Sequence, residues 1–342
     1  MTKIMALASL DRSRLETLVP AFVHGRAASM WHLRRDAGWV LANVLRFGAP
    51  EMLFHFGFAL GDDLLCTAVL RELKRRGHGK LWMMSDYPEL YEGNTDIDRV
   101  VPSDSRFNDY ISLFGGKRQL LEYESRGWAK DKSAPAGRHI IAELCRKAGV
   151  SGEISLRPYF FLSKEESLSS EWAKGAIAIQ SSVLGARFAI RNKEWFPERF
   201  QEVVSRLGKK FKFIQIGSES DPLLEGAMDL RGKATIRQTA ALLGNCRMFC
   251  GNVGFLMHLA RAVECPSVIV YGGREAPWQS GYSCNVNLYS ETPCAPCWLW
   301  NTCDYDRLCM KNITVDDVVG AISDAISRPR NPLAEDSFIN RA

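Results

Sequence analysis

The sequence predicts an α/β protein built from two successive halves, each a doubly wound parallel sheet. Three observations carry that expectation. Residues 251–273, GNVGFLMHLARAVECPSVIVYGG, follow the apolar run Met248-Phe249-Cys250. They read as a glycine turn, a helix over 256–263, and a buried strand over 267–271 closed by Gly272-Gly273. Strand, tight turn, helix and parallel strand make a βαβ unit. Apolar runs also alternate with helical stretches between Met52 and Val101, the pattern of a parallel sheet. The alternation then restarts at Ala176-Ile177-Ala178-Ile179. Two such halves direct their strand C-terminal ends toward a common cleft, where ligands bind.

The totals set bounds. A chain of 342 residues with 46% hydrophobic and 24% charged content can bury two cores and is ordinary for a globular enzyme. The net charge of +5 is mild. Seven of the basic residues fall in the first fifty positions against three acidic ones. The remainder is nearly balanced and leaves no nucleic-acid footprint. Met1 to Leu10 is too short for a secretory signal core, and no apolar run approaches the roughly 18 residues of a spanning helix. The expected location is the cytoplasm.

Residues 1–50 read as an N-terminal helical extension. Trp31, Trp39, Val40, Val44, Leu45 and Phe47 lie among basic residues, as in an amphipathic helix. It either packs on the first half or lies in the plane of the inner membrane surface as a peripheral contact. Residues 51–166 form the first sheet domain: strands over 52–58, 81–84 and 99–101, a helix over 64–76, a short helix and turn over 87–94, and mainly helix over 108–150. The polar stretch 122–138 is expected to be mobile, and a helix covers 139–148. The polar run near Ser163 marks a boundary. Residues 167–328 form the second domain, with strands over 176–179 and 212–216, helices over 197–207, 236–243 and 315–326, and a cysteine-bearing segment at 294–309. Residues 329–342 are a tail.

Several side chains stand where chemistry is expected. The start of the helix after Gly254 presents free N–H groups and a partial positive charge, which suits a phosphate. Gly61 turns the chain sharply off the first strand. Asp62 then starts a helix, either as an N-cap or as a base facing the cleft. Ser181 and Ser182, and Gly217 and Ser218, sit in turns at strand ends. Arg274 and Glu275 follow the strand that closes the 251–273 unit; they supply polar contacts or form an ordinary ion pair. Cys294, Cys297, Cys303 and Cys309 are spaced C-x2-C-x5-C-x5-C. Four thiolates at that spacing can close a structural zinc or iron site, the alternative being reduced thiols or disulfides. The other six cysteines are scattered in apolar runs and read as small hydrophobes.

The order of motifs adds a resemblance. GDDLLCTAVLRELKRRG followed by NTDIDRVV resembles the opening of glycosyltransferase family nine, which includes the lipopolysaccharide heptosyltransferases. Asn192-Lys193-Glu194-Trp195-Phe196-Pro197 is similar to that family's Lys-x-Trp-Pro stretch, and DLRGKATIRQTAALLGNCRMFCGNVGFLMHLA to its Gly-Asn-x-x-Gly-x-x-His-Leu-Ala signature. CAPCWLWNTCDYDRLCMKNITVDDVVGAI is similar to the cysteine-bearing tail of many members. The resemblance covers roughly residues 52–325. It implies a GT-B fold of two Rossmann-like domains and an inverting transfer from a nucleotide-diphosphate sugar without a catalytic metal. It implies that Asp62 is the general base and that Lys193 binds donor phosphate, with Arg191 beside it. Asn252, Gly254 and His258 would surround the diphosphate. From their places at strand ends, and not from the resemblance, Gly217 and Ser218 are expected to border the nucleoside, and Ser181, Ser182 and Arg274 to contact the donor. The family usually carries an Asp after Gly-Asn in its third block, where this chain has Val253. A valine accepts no hydrogen bonds, so heptose is in doubt as the donor sugar.

The function expected from these readings is transfer of a sugar to a bacterial surface glycan or a related lipid-linked or protein acceptor. Two alternatives stay open. One is a sugar-nucleotide epimerase or hydrolase, which turns over donor alone. The other is a non-catalytic sugar-nucleotide-binding or assembly protein.

Overall fold

Two separate parallel sheets carry the chain. The computed structural model describes residues 38, 41–43, 45–56, 59–104, 107, 116–121, 123, 136–327 and 334–341. The chain divides into two units, residues 1–49 with 104–116, and residues 50–103 with 117–342. In the first unit the described residues at 38, 41–43, 45–47 and 107 are helical. Trp31, Trp39, Val40 and Val44 of the expected amphipathic helix lie outside the described residues, as does most of the stretch 122–138.

The second unit holds both sheets. In the first sheet β1 (Met52–Phe56), β2 (Leu81–Met84), β3 (Arg99–Val101) and β4 (Lys117–Leu121) run parallel in the order β3-β2-β1-β4. Helix α1 (Leu60–Arg75) follows β1, and α2 (Ile140–Lys147) precedes β5 (Gly152–Ser155). Strand β4 corrects the expectation of helix over 108–150. It is an edge strand whose backbone pairs with β1 from Met52↔Lys117 to Phe56↔Leu121. Leu121 is buried and Leu120 is exposed; an edge position asks for little apolar side chain, so KRQLL carries no strand signal. Helix α1 begins four residues before the expected 64.

A polar segment links the sheets. The expected boundary at Ser163 is a helix start: α3 (Lys164–Ser169) has Ser163 as N-cap in a reciprocal capping box with Glu166. The second sheet contains β6 (Ile177–Ile179), β7 (Phe213–Gln215), β8 (Met228–Asp229), β9 (Met248–Asn252), β10 (Ser267–Gly272) and β11 (Val286–Tyr289), in the order β11-β10-β9-β6-β7-β8. Its helices are α4 (Pro197–Leu207), α5 (Ile236–Asn245), α6 (Phe255–Ala262), the short α7 (Pro277–Ser280) and α8 (Leu308–Asn312), and α9 (Val315–Ser327). Side chains alternate across this sheet. Ile177, Ile179, Met248, Cys250, Val268 and Val270 pack with α4 and α9, while Ala178, Phe249 and Ile269 join the core that includes α1, α2, α5 and α6. Helices therefore cover both faces, as a parallel sheet requires.

The expected tail ends as structure. Strand β12 (Ser337–Asn340) pairs antiparallel with β5, from Ser337↔Ser155 to Asn340↔Gly152. Asn340 Nδ2 donates to the Ala142 carbonyl at 2.8 Å, and Asp336 Oδ2 accepts from the Ser283 N–H at 2.8 Å. The chain end thus ties α2 to the loop before β11. Among the described residues no helix is long and apolar enough to cross a membrane.

Candidate functional site

Topology fixes where to look. In the first sheet strand order reverses between β1 and β4. In the second it reverses between β6 and β9, since counted from β6 the order is 3-2-1-4-5-6. Ligands of open α/β sheets bind beyond the strand C-terminal ends at such points. The chain leaving β1 enters α1, and the chain leaving β9 enters α6.

Asp62 lies half-buried in the first turn of α1, whose N-cap is Ala59. Asp62 is therefore not the cap residue. Gly61 is helical, so the sharp turn expected of it is not its role. A Cβ there would stand 3.4 Å from the Phe255 Cα, so glycine permits the backbone starts of α1 and α6 to approach each other. Asp63 is buried; its carboxylate accepts from the Ser85 hydroxyl, while Tyr91 Oη donates to its backbone carbonyl at 2.9 Å. Ser85 Oγ in turn accepts from the Tyr87 N–H at 2.9 Å. Burial pushes the Asp63 carboxyl up to about 7 against the opposing Ser85 hydrogen bond, helped by the charges of Asp62 and Asp86.

On the other side, Asn252 ends β9 fully buried. Its Oδ1 accepts from the Trp195 N–H at 3.0 Å, and its Nδ2 has no partner among the described residues. Val253 faces the core. A Cβ on Gly254 would meet nothing within 4 Å, so the backbone there borders open space. Helix α6 has no side-chain cap at its N-terminus, which leaves its first N–H groups available. His258 is buried with Nδ1 2.7 Å from Tyr282 Oη. Burial, then the nearby charge of Lys193, holds its pKa down at about 3.

Lys193 stands on a single turn of 3-10 helix, Arg191–Lys193. Its Nζ lies 2.6 Å from Glu275 Oε1, and Arg274 Nη1 donates to the same oxygen at 3.0 Å. Burial raises the Glu275 pKa, but Lys193 and Arg274 outweigh it and hold the carboxyl at about 2. Arg274 is turned inward, with Nε donating to the Leu299 carbonyl at 3.1 Å and its guanidinium 4.9 Å from the Trp298 ring centre. Arg191 is exposed. The two serines are also internal. Ser181 Oγ donates to the Pro222 carbonyl at 2.6 Å, and Ser182 Oγ accepts from the Leu184 N–H at 3.1 Å. Gly217, at φ +135°, forms the turn after β7 in a space where a side chain would collide with Asp221 Oδ2. Ser218 donates its N–H to that same Asp221 oxygen at 3.1 Å.

The structure thus sets Gly61, next to Asp62, against the start of α6, and brings Lys193 and Glu275 near His258 of the same helix. It turns the hydroxyls of Ser181 and Ser182 away into the loops behind. Tyr282 and the pairing of Asp63 with Ser85 were not expected from the sequence, and Asn192 was given no role beyond its place in the family stretch. Only the doubled acid at the start of α1 offered a signal for any of them.

Cys294, Cys297, Cys303 and Cys309 are half-buried free thiols. They lie near enough to oppose one another's ionisation, and Cys303 Sγ accepts from the Arg307 N–H at 3.2 Å. Among the described residues, however, no three His, Cys, Asp or Glu side chains converge to hold a metal ion. A cavity of about 310 Å³ lined by Arg157, Ser167, Asn245 and Val263 opens near the C-terminal end of α6.

Comparison with known proteins agrees with the resemblance read from the sequence. Residues 160–303, which include the strands of the second sheet, match the model of glycosyltransferase family 9 (heptosyltransferase). No curated protein matches the chain by sequence. Among solved structures, the iron-containing dodecameric glycosyltransferase TibC of enterotoxigenic E. coli superposes with TM-score 0.62 at 16% identity, covering 82% of this chain and 79% of that one. The ADP-heptose lipopolysaccharide heptosyltransferase II of E. coli gives 0.61 at 15% identity, over 81% and 98% of the chains. A family 9 glycosyltransferase of Veillonella parvula gives 0.57 at 14%, over 82% and 98%. At these identities the likeness establishes the fold, GT-B with two Rossmann-like domains.

Proposed function

We propose that this protein is an inverting glycosyltransferase that moves a sugar from a nucleoside-diphosphate sugar to a glycan acceptor of the lipopolysaccharide kind. The observation that carries the reading is the close approach of α1 to α6, which brings a first-sheet carboxylate and a second-sheet anion cradle to one place. The diphosphate lies against the uncapped N–H groups of α6, over the open face of Gly254. The Asn252 amide supplies a further donor. Lys193 faces the bridging and leaving oxygens as charge develops there. Asp62 accepts the proton of the acceptor hydroxyl as that oxygen attacks the anomeric carbon from the opposite side. His258, neutral, supports the turn through Tyr282 rather than meeting phosphate as a cation. The ADP-heptose in the name of heptosyltransferase II makes ADP the first probe to try. Because Val253 faces the core, any hydroxyl contacts to the sugar come from other residues.

Calorimetry with ADP separates the two roles. Lys193→Ala should weaken ADP binding by about tenfold or more, the scale of a charge-assisted contact. Asp62→Asn should leave ADP affinity unchanged and lower transfer by about 10² to 10⁴. Equal ADP affinity in the wild type and Lys193→Ala would remove the donor role of the lysine. Undiminished transfer in Asp62→Asn would remove the base.

A further inference from the structure

The stretch that carries Lys193 is suspended from the cysteine loop. Asn192 is 5% exposed and donates through Nδ2 to two carbonyls of that loop, Thr302 at 2.8 Å and Leu299 at 3.2 Å. Its own N–H donates to the Trp300 carbonyl at 3.0 Å. The neighbours follow suit. Arg191 N–H donates to Asn301 Oδ1 at 2.9 Å, and Arg307 Nη1 donates to the Glu194 carbonyl at 3.0 Å. Trp195 N–H is held by Asn252 at the head of the donor turn. From this stretch the Lys193 side chain reaches Glu275. The Leu299 carbonyl also accepts from Arg274, so one loop oxygen steadies both cationic neighbours of Glu275. Asn192 Oδ1 is buried without a partner among the described residues, so there the side chain is held by its donors. The loop is itself a fixed shape, since Trp298, Asp306 and Arg307 keep left-handed φ values of +56°, +44° and +52°, which persist only where surrounding contacts impose them.

We propose that Asn192 is a positioning residue: by hanging the Lys193 turn from the carbonyls of Leu299 and Thr302, it sets the lysine ammonium at the donor diphosphate and couples the cysteine loop to donor binding. The proposal rests on the reading of Lys193 as a donor ligand. A flexible four-carbon side chain delivers its charge to one point only if its backbone is held. The amide does this with two donors that neither alanine nor an ionised aspartate can supply.

The test is a double-mutant cycle in ADP affinity, measured by calorimetry on the full chain at pH 8. Asn192→Ala should weaken ADP binding by about tenfold in the wild-type background and have no effect in Lys193→Ala, because it acts through that lysine. Asn192→Asp, equal in size but without donors, should behave as the alanine. Where Asn192→Ala fails to fold, the exposed Asn301→Ala removes the acceptor for Arg191 from the loop side and should weaken binding by about threefold, again only when Lys193 is present. Equal weakening with and without Lys193 would overturn the proposal, since the asparagine would then support the lobe at large. Unchanged affinity in Asn192→Ala, beside a weakened Lys193→Ala, would overturn it too. Unchanged affinity in Lys193→Ala itself would instead bring down the donor reading beneath it.

Discussion

Asp62 and Asp63 are adjacent acids with opposite surroundings. Asp62 is half-buried beside the start of α6, whereas Asp63 is sealed against Ser85 and Tyr91. The sequence pointed to the first through the family motif and took the second as a helix-start residue; burial perturbs Asp63. Its pKa near 7 lies above the ordinary carboxylate value. The folded state therefore holds a proton that the unfolded state has lost between about pH 4 and 7, so this residue's stabilising contribution falls as pH rises through that window. Asp63→Asn keeps a partner for Ser85 and removes the charge. It should be more stable than the wild type at pH 8.5, by about 2–4 kcal/mol at most, read as a higher melting temperature, with the gap closing toward pH 5. A gap that does not change with pH would contradict this account. Lys193 was legible in the same way, by motif. Its pairing with buried Glu275 was not, because no local rule links positions 193 and 275, which lie far apart in the chain.

At the scale of elements, the helix pair α1–α6 is the feature to test. Gly61→Ala places a methyl group 3.4 Å from the Phe255 Cα and should be near neutral, the gain in helix propensity offsetting the tighter contact. Gly61→Leu must separate the helices and should cost about 2 kcal/mol, read as a lower melting temperature. A leucine variant as stable as the wild type would mean that the two helix starts do not touch. The β9–α6–β10 unit was legible because its apolar runs, glycine turn and helical stretch each match one local rule. Strand β4 was not, since KRQLL pairs through its backbone at a sheet edge. Strand β12 was hidden for the same reason: Ser337 to Asn340 are held by a partner nearly two hundred residues away. The start of α1 was misplaced because Ala59 gives no capping signal and Gly61 reads locally as a breaker.

For the whole molecule, two sheets with reversing strand order set their switch points on either side of one contact, Gly61 against Phe255. The α/β class was readable from alternation alone; the closeness of those switch points was not, because it depends on helix packing between the halves. The account's central claim is that this contact brackets a nucleoside-diphosphate site. Crystals of the full chain grown with ADP test it directly. The account predicts the diphosphate on the first N–H groups of α6, within hydrogen-bonding distance of Lys193 Nζ, with the Asp62 carboxylate facing the space where the sugar would extend. Diphosphate seated instead in the cavity beside Arg157 and Ser167, with the α6 N-terminus empty, would contradict it.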